Sequence, residues 1–210
     1  MTGAVLVGGR SQRMAGGDKT LMFREGQRVL VRTLGLLEKI CNKVILVARG
    51  PVQAQSFSDL KIAETVCDLF PENGPLGGLN TALENAVTSV LLLACDMPFI
   101  ELALLQKLVA VFESKRPWAV VPRSPALASQ GDEHWRVEPL CAIWSQHCKP
   151  LSLKSIENHN LSMTAFARQV QAEFVDLSAI EARQLRNINT PTDLTEGLEI
   201  HGVGQGNISW

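Results

Sequence analysis

The five cysteines, Cys41, Cys67, Cys95, Cys141 and Cys148, include no C-x-x-C pair and are odd in number, which argues against both a disulfide framework and a structural zinc site. Reduced, mostly buried thiols are expected instead. The chain contains no run of about eighteen uncharged apolar residues, and its amino-terminal segment lacks a basic n-region and an A-x-A cleavage pattern, so a cytoplasmic protein with no membrane partner is expected. Neither charge sign dominates. Lys and Arg number 20 against 21 Asp and Glu, for a formal net charge of −1. No global field therefore recruits nucleic acid, and any phosphate binding must come from local clusters. Repeats, low-complexity segments and a linker that would divide the chain are also missing.

What is present is the composition of an ordered globular protein: 210 residues, 46% hydrophobic and 20% charged. One domain over residues 1–200 is expected, with 201–210 as a flexible tail. Short apolar runs, "GAVLV" (3–7), "KVILVA" (43–48), "SVLLLAC" (89–95), "WAVVP" (118–122) and "PLCAIW" (139–144), suit strands buried on both faces. Leu30, Leu34, Leu37 and Ile40, and again Leu102, Leu105, Leu108 and Phe112, repeat at helical spacing. This alternation predicts an α/β fold, a three-layer sandwich around a mostly parallel sheet. Residues 123–136 show neither periodicity and are expected to form a surface excursion. A helix capped by Ser162, a strand over 172–177 and a helix start at Thr190-Pro191-Thr192-Asp193 complete the pattern.

The first strand runs directly into "GGRSQRMAGGDK" (8–19). Loops at the carboxyl ends of parallel strands form the ligand crevice. Gly8 and Gly9 let a ligand approach the main chain, whose N–H groups then face an anion, and Arg13 and Lys19 add positive charge there. A tight turn with no ligand would explain the glycines but not the cations. Asp18 separates Gly17 from Lys19, so a Walker A loop fails on spacing, and G-x-G-x-x-G is absent. Asp96 follows another apolar strand and should emerge at the same crevice, as a magnesium ligand or as the N-cap of the segment beginning near Pro98. Cys95 beside it has no local histidine, which disfavours a covalent nucleophile. The histidines, His134, His147, His159 and His201, lack metal-ligand spacing.

Gly8-Gly9-x-Ser11-x-Arg13-Met14-x-Gly16-x-Asp18-Lys19 resembles the signature of the small nucleotidyltransferases led by the molybdenum cofactor guanylyltransferase family. "GPLGGLNTAL" (74–83) is similar to that family's Gly-Pro-Leu-x-Gly turn, "LLLACDMPFI" (91–100) to its Cys-Asp-x-Pro strand end, and "NINTPTDL" (187–194) to its Asn-x-Asn-Thr-Pro motif. The four occur in the family's order across nearly the whole chain. The resemblance implies a Rossmann-like nucleotidyltransferase fold and transfer of GMP from GTP to the terminal phosphate of Mo-molybdopterin, with Mg2+ as cofactor. Molybdoenzyme-specific chaperones or cofactor-insertion proteins are the protein partners it implies.

Carried over residue by residue, it implies nucleotide contacts at Leu6, Val7, Gly8, Lys19, Asp68 and Asp96 and a metal on Asp96; Gly9 and Gly77 are further expected nucleotide contacts, and Arg13, Lys19 and Asp96, which can neutralise phosphate charge, are the expected catalytic residues. Asn187 and Asn189 would support the metal or the acceptor phosphate, or else cap the following helix. Asp68 has a surface-turn carboxylate as its competing reading. "EPLCAIW" (138–144) resembles the region where the family meets its pterin acceptor. Two departures stand out: Ala15 replaces a frequent glycine, and an asparagine that some relatives have at the end of the second strand is absent from "VILVARG". A cytidylyltransferase for the same cofactor, a related small nucleotidyltransferase and a non-catalytic cofactor-delivery protein are the rival functions. The first rival's signature has Ala-Ala-Gly where this chain has Val7-Gly8-Gly9.

Overall fold

A computed structural model describes residues 1–7, 23–24, 27–60, 63–125 and 135–188. Gly8, Gly9, Arg13, Lys19 and Asn189, the helix start at Thr190 and the tail 201–210 lie outside the described residues.

In chain order the elements are β1 (Thr2–Leu6), β2 (Phe23–Arg24), β3 (Gln27–Arg28), α1 (Val29–Glu38), β4 (Lys43–Ala48), α2 (Pro51–Gln55), β5 (Glu64–Cys67) and α3 (Gly74–Glu84). Then follow β6 (Val90–Ala94), α4 (Leu102–Lys115), β7 (Ala119–Pro125), β8 (Trp135–Val137), β9 (Cys141–Trp144), α5 (Cys148–Glu157), α6 (Met163–Gln169), β10 (Glu173–Asp176) and α7 (Ala179–Arg183). The main sheet has the order β10-β7-β9-β6-β1-β4-β5, with β8 paired to β7, while β2 and β3 form a separate two-stranded ribbon. β1 lies centrally, parallel to β4 (Leu6 opposite Val47) and to β6 (Leu6 opposite Ala94).

β9 is antiparallel to both β6 and β7, and β8 is antiparallel to β7. The carboxyl ends of β1, β4, β5, β6, β7 and β10 therefore share one edge of the sheet. The chain enters β9 from that edge too, through Glu138–Leu140.

The near-continuous apolar runs are explained by two cores, one on each face. Because side chains alternate along a strand, Val5, Leu46, Leu91, Leu93, Val120 and Ile143 meet α1 and α4 on one side. Ala4, Ile45, Val47, Leu92, Val121 and Ala142 meet α3, α5 and α6 on the other. The three-layer sandwich follows directly. Cys41, Cys141 and Cys148 are free and buried, Cys95 is half-buried and Cys67 exposed. Burial pushes the Cys41 thiol up to about 11 and the Cys148 thiol up to about 12, the inert form expected of structural cysteines.

Structure and sequence reading differ in three places. The segment 74–83, read as a turn, is the helix α3; its three glycines are poor helix formers, and tertiary packing decides the matter. A Cβ on Gly78 would stand 2.8 Å from Leu6 Cδ2, and one on Gly77 would stand 2.4 Å from the carbonyl oxygen of Phe70. Only glycine allows this helix to lie so close to β1 and to the preceding loop. Buried Asn80 ties the helix to α5 through Lys149 O (3.1 Å) and Ser152 Oγ (2.8 Å). Second, the ends of the 123–136 excursion are a ribbon: β7 runs on to Pro125 and β8 pairs back against it. Third, α2, β5, α5 and α7 are additional elements that the apolar pattern did not mark. Ser162 does cap α6, accepting from Ala165 N–H.

Candidate active site

β1 delivers Leu6 and Val7 to the shared edge of the sheet. Leu6 O accepts the Cys95 N–H (3.3 Å), Val7 N–H donates to Val47 O (3.1 Å), and Val7 O accepts from Gln53 Nε2 (2.8 Å). The strand end is thus pinned on both sides before the glycine-rich stretch begins. One strand further out, Asp68 N–H bonds Ala48 O at 2.7 Å. Asp68 Oδ1 accepts from Thr81 Oγ1 (2.8 Å) and Phe70 N–H (2.9 Å), so one carboxylate oxygen fixes the turn into α3. Thr81 Oγ1 in turn accepts the Leu69 N–H. Arg49, just after β4, bridges to Glu72 at 2.9 Å and closes the rim between the two loops. α3 starts at this edge with Gly74 in the left-handed region (φ 60°) and no side-chain cap at Asn73.

On the other side of β1, β6 ends at Ala94 and the chain turns through half-buried Cys95 and Asp96. Two devices hold this turn. The Ile188 N–H donates to Asp96 O at 2.9 Å, which brings the carboxy-terminal Asn187-Ile188 segment against it. From α1, Arg32 donates through Nη1 to Pro98 O (3.2 Å) and Ile100 O (2.7 Å) and through Nη2 to Glu101 Oε1 (3.1 Å). Asn187 Oδ1 is buried and accepts no hydrogen bond among the described residues.

Beyond β6 lies Glu138, 7% exposed. Its N–H donates to Pro122 O (3.0 Å), and two residues later Leu140 O accepts the Ala94 N–H (3.0 Å), so the main chain that carries the carboxyl is held between the ends of β7 and β6. Burial pushes this acid from 4.5 up to about 7; Arg136 and the Leu140 N–H oppose the shift and the charge of Asp96 adds to it. Such a perturbed acid in a crevice is a mark of a functional site.

The structure thus brings Leu6, Val7, Asp68, Gly77, Asp96 and Asn187 to one edge. Gly77 is buried under the Phe70 carbonyl, which gives its glycine a packing reason. Glu138, Arg32 and Gln53 were not singled out by sequence reading. The signals for Glu138 were an acid placed directly before an apolar strand and its place at the start of the segment 138–144 that resembles the family's acceptor region. Arg32 and Gln53 carry none, because their partners lie 66 and 46 residues away in the chain. Among the described residues, no three His, Cys, Asp or Glu side chains form a preassembled metal cluster, and no helix is long and apolar enough to cross a membrane.

A mostly parallel sheet between two helical layers, carrying carboxylates beside a glycine-rich strand end, defines a nucleotidyltransferase of Rossmann-like architecture. The model of the MobA-like NTP transferase domain matches residues 3–172, and the chain belongs to that family. A probable molybdenum cofactor guanylyltransferase of Pelotomaculum thermopropionicum is 31% identical over 203 residues, 93% of this chain and 90% of the relative. One from Clostridium perfringens is 28% identical over 195 residues, 89% and 90% of the two chains. Among solved structures, the molybdopterin-guanine dinucleotide biosynthesis protein A of Archaeoglobus fulgidus superposes with a TM-score of 0.77 at 26% identity, covering 96% of this chain and 99% of its own. The 2-C-methyl-D-erythritol 4-phosphate cytidylyltransferase of Thermus thermophilus, at 17% identity and a TM-score of 0.71, shares the fold.

Proposed function

We propose that this protein transfers GMP from GTP to the terminal phosphate of Mo-molybdopterin, releasing pyrophosphate and forming the guanine dinucleotide form of the cofactor. The observation that carries the proposal is the placement of Asp68, Asp96 and Asn187 along the one sheet edge at which β1 ends, in a chain whose relatives carry the guanylyltransferase name. An oxygen of the acceptor phosphate bonds to the α-phosphorus of GTP, and the bond from that phosphorus to the bridging oxygen of pyrophosphate breaks. The acceptor phosphate is already ionised at neutral pH, so no general base is required. The protein's work is alignment and charge neutralisation. Arg13 and Lys19 are assigned to the triphosphate and Asp68 to the nucleoside.

The oxygen donors of Asp96 and Asn187 suit Mg2+, a hard cation held by one or two carboxylates with waters and substrate phosphates. The buried Asn187 Oδ1, without a hydrogen-bond partner among the described residues, is an acceptor that a cation would satisfy. Bound there, Mg2+ would supply neutralisation of phosphate charge. The protein would act in the cytoplasm and pass its product to molybdoenzyme-specific chaperones or cofactor-insertion proteins.

The test is transfer from α-labelled GTP or CTP to Mo-molybdopterin with magnesium, following pyrophosphate. Label transfer with stoichiometric pyrophosphate from GTP is expected, abolished in folded Asp96→Asn and Lys19→Ala. Preference for CTP, or cofactor binding without pyrophosphate release, overturns the proposal.

A further inference from the structure

On the guanylyl-transfer reading, the phosphate and acceptor ends of the crevice are those toward β6 and β9, where Asp96 and Glu138 stand. The nucleoside must therefore extend the other way, over the ends of β4 and β5. The last residues of β4 and the one that follows, Val47, Ala48 and Arg49, offer no side-chain amide to read a base. Such an amide arrives from α2. Gln53, half-buried, donates through Nε2 to Val7 O and accepts the Arg49 N–H on Oε1, each at 2.8 Å.

These two bonds fix which end of the amide is nitrogen. A carbonyl oxygen can take only an N–H, and a backbone N–H can give only to oxygen. A flipped amide would lose both bonds and set like groups against each other. Each bond uses half of what the amide offers. One N–H on Nε2 and further acceptor capacity on Oε1 have no partner among the described residues, next to the residue that precedes Gly8.

We propose that Gln53 is the residue that selects the nucleobase, presenting a pinned donor–acceptor pair to the O6 and N1–H edge of guanine. This rests on the guanylyl-transfer reading above and specifies how that site recognises its donor. Guanine offers an acceptor beside a donor; adenine, with N6–H2 beside N1, offers them in reversed order. A free carboxamide would flip to suit either base, whereas one tied to Val7 and Arg49 accepts one order. Rejection arises because the wrong base leaves buried polar groups facing unpaired partners. α2 buries no side chain, so substitution at position 53 is tolerated by the core.

The experiment measures kcat/KM for pyrophosphate release from GTP and ATP, with Mo-molybdopterin and magnesium, in wild type, Gln53→Leu and Gln53→Glu. The readout is the GTP-to-ATP ratio, alongside urea unfolding of each variant. The expected result is a ratio lowered about ten- to hundredfold in Gln53→Leu, carried by a higher KM for GTP at nearly unchanged kcat, as for uniform binding. Gln53→Glu keeps the acceptor for Arg49 but no donor toward O6, and should lower the ratio as well. A merely structural amide would lower both nucleotides together. If wild type favours GTP and either folded variant keeps the ratio within about twofold, the assignment of Gln53 is overturned while guanylyl transfer stands. If wild type shows no preference for GTP, the guanylyl-transfer reading fails first and this inference falls with it.

Discussion

Glu138→Gln should change how stability depends on pH. Folded, the buried carboxyl titrates near 7; its ordinary value is 4.5. At pH below 4.5 both folded and unfolded chains hold the proton, and the acid costs the fold nothing. As pH rises, the unfolded chain releases its proton first, so stability falls between 4.5 and about 7 and the loss is complete above. At about 1.36 kcal/mol per pH unit, that interval amounts to about 3 kcal/mol. This is a large share of the ~5–15 kcal/mol that holds a domain folded. The facing groups are Arg136 and the Leu140 N–H, which favour the anion, and Asp96, which disfavours it; Cys141 is buried alongside and its thiol is pushed up. Glutamine keeps the shape and removes the titration. Urea unfolding of wild type and variant, from pH 5 to pH 8, should give curves that diverge with rising pH, the variant gaining about 2–3 kcal/mol relative to wild type by pH 8. Parallel curves would refute the burial argument.

Two glycine substitutions should have opposite signs. A Cβ on Gly35 meets nothing within 4 Å, so Gly35→Ala in α1 should add about 0.5–1 kcal/mol, whereas Gly77→Ala must displace the Phe70 carbonyl and should cost about 1–3 kcal/mol; thermal melts that move the same way for both would contradict the packing. Arg32→Leu leaves the carbonyls of Pro98 and Ile100 without their guanidinium, and should lose about 2 kcal/mol together with magnesium-dependent nucleotide binding. Calorimetry that finds binding intact would remove Arg32 from any role in positioning Asp96. Asn80→Ala abandons the Lys149 carbonyl and the Ser152 hydroxyl inside the α3–α5 contact, with an expected cost of about 1–3 kcal/mol by chemical denaturation. A loss under 0.5 kcal/mol would mean those groups find other partners.

The strands and the large helices were legible because their signal is local. A run such as Val90 to Ala94, buried without interruption, announces a strand covered on both faces, and the leucine spacing of α1 announces a helix packed on one side. The weak elements were not legible for the same reason. α3 is rich in glycine, so its intrinsic preference opposes the helix it forms, and only its fit against Leu6 and Phe70 reverses that preference. β5 has no fully buried residue, being the edge strand of the sheet, and therefore carries no apolar signature.

The site divides along the same line. Sequence by itself determined the family, through four motifs whose residue types and order are chemically constrained, and it determined that Asp68, Asp96 and Asn187 carry oxygen donors. It determined the apolar pattern that makes the sheet, and with it the edge at which β1 and β6 end. Tertiary structure alone decided that Glu138 is buried beside Asp96, that Arg32 clamps the turn after β6, and that Gln53 spans the ends of β1 and β4. Each of those roles is defined by a partner many residues away, and a hydrogen bond or a desolvated charge of that kind exists only once the chain has folded.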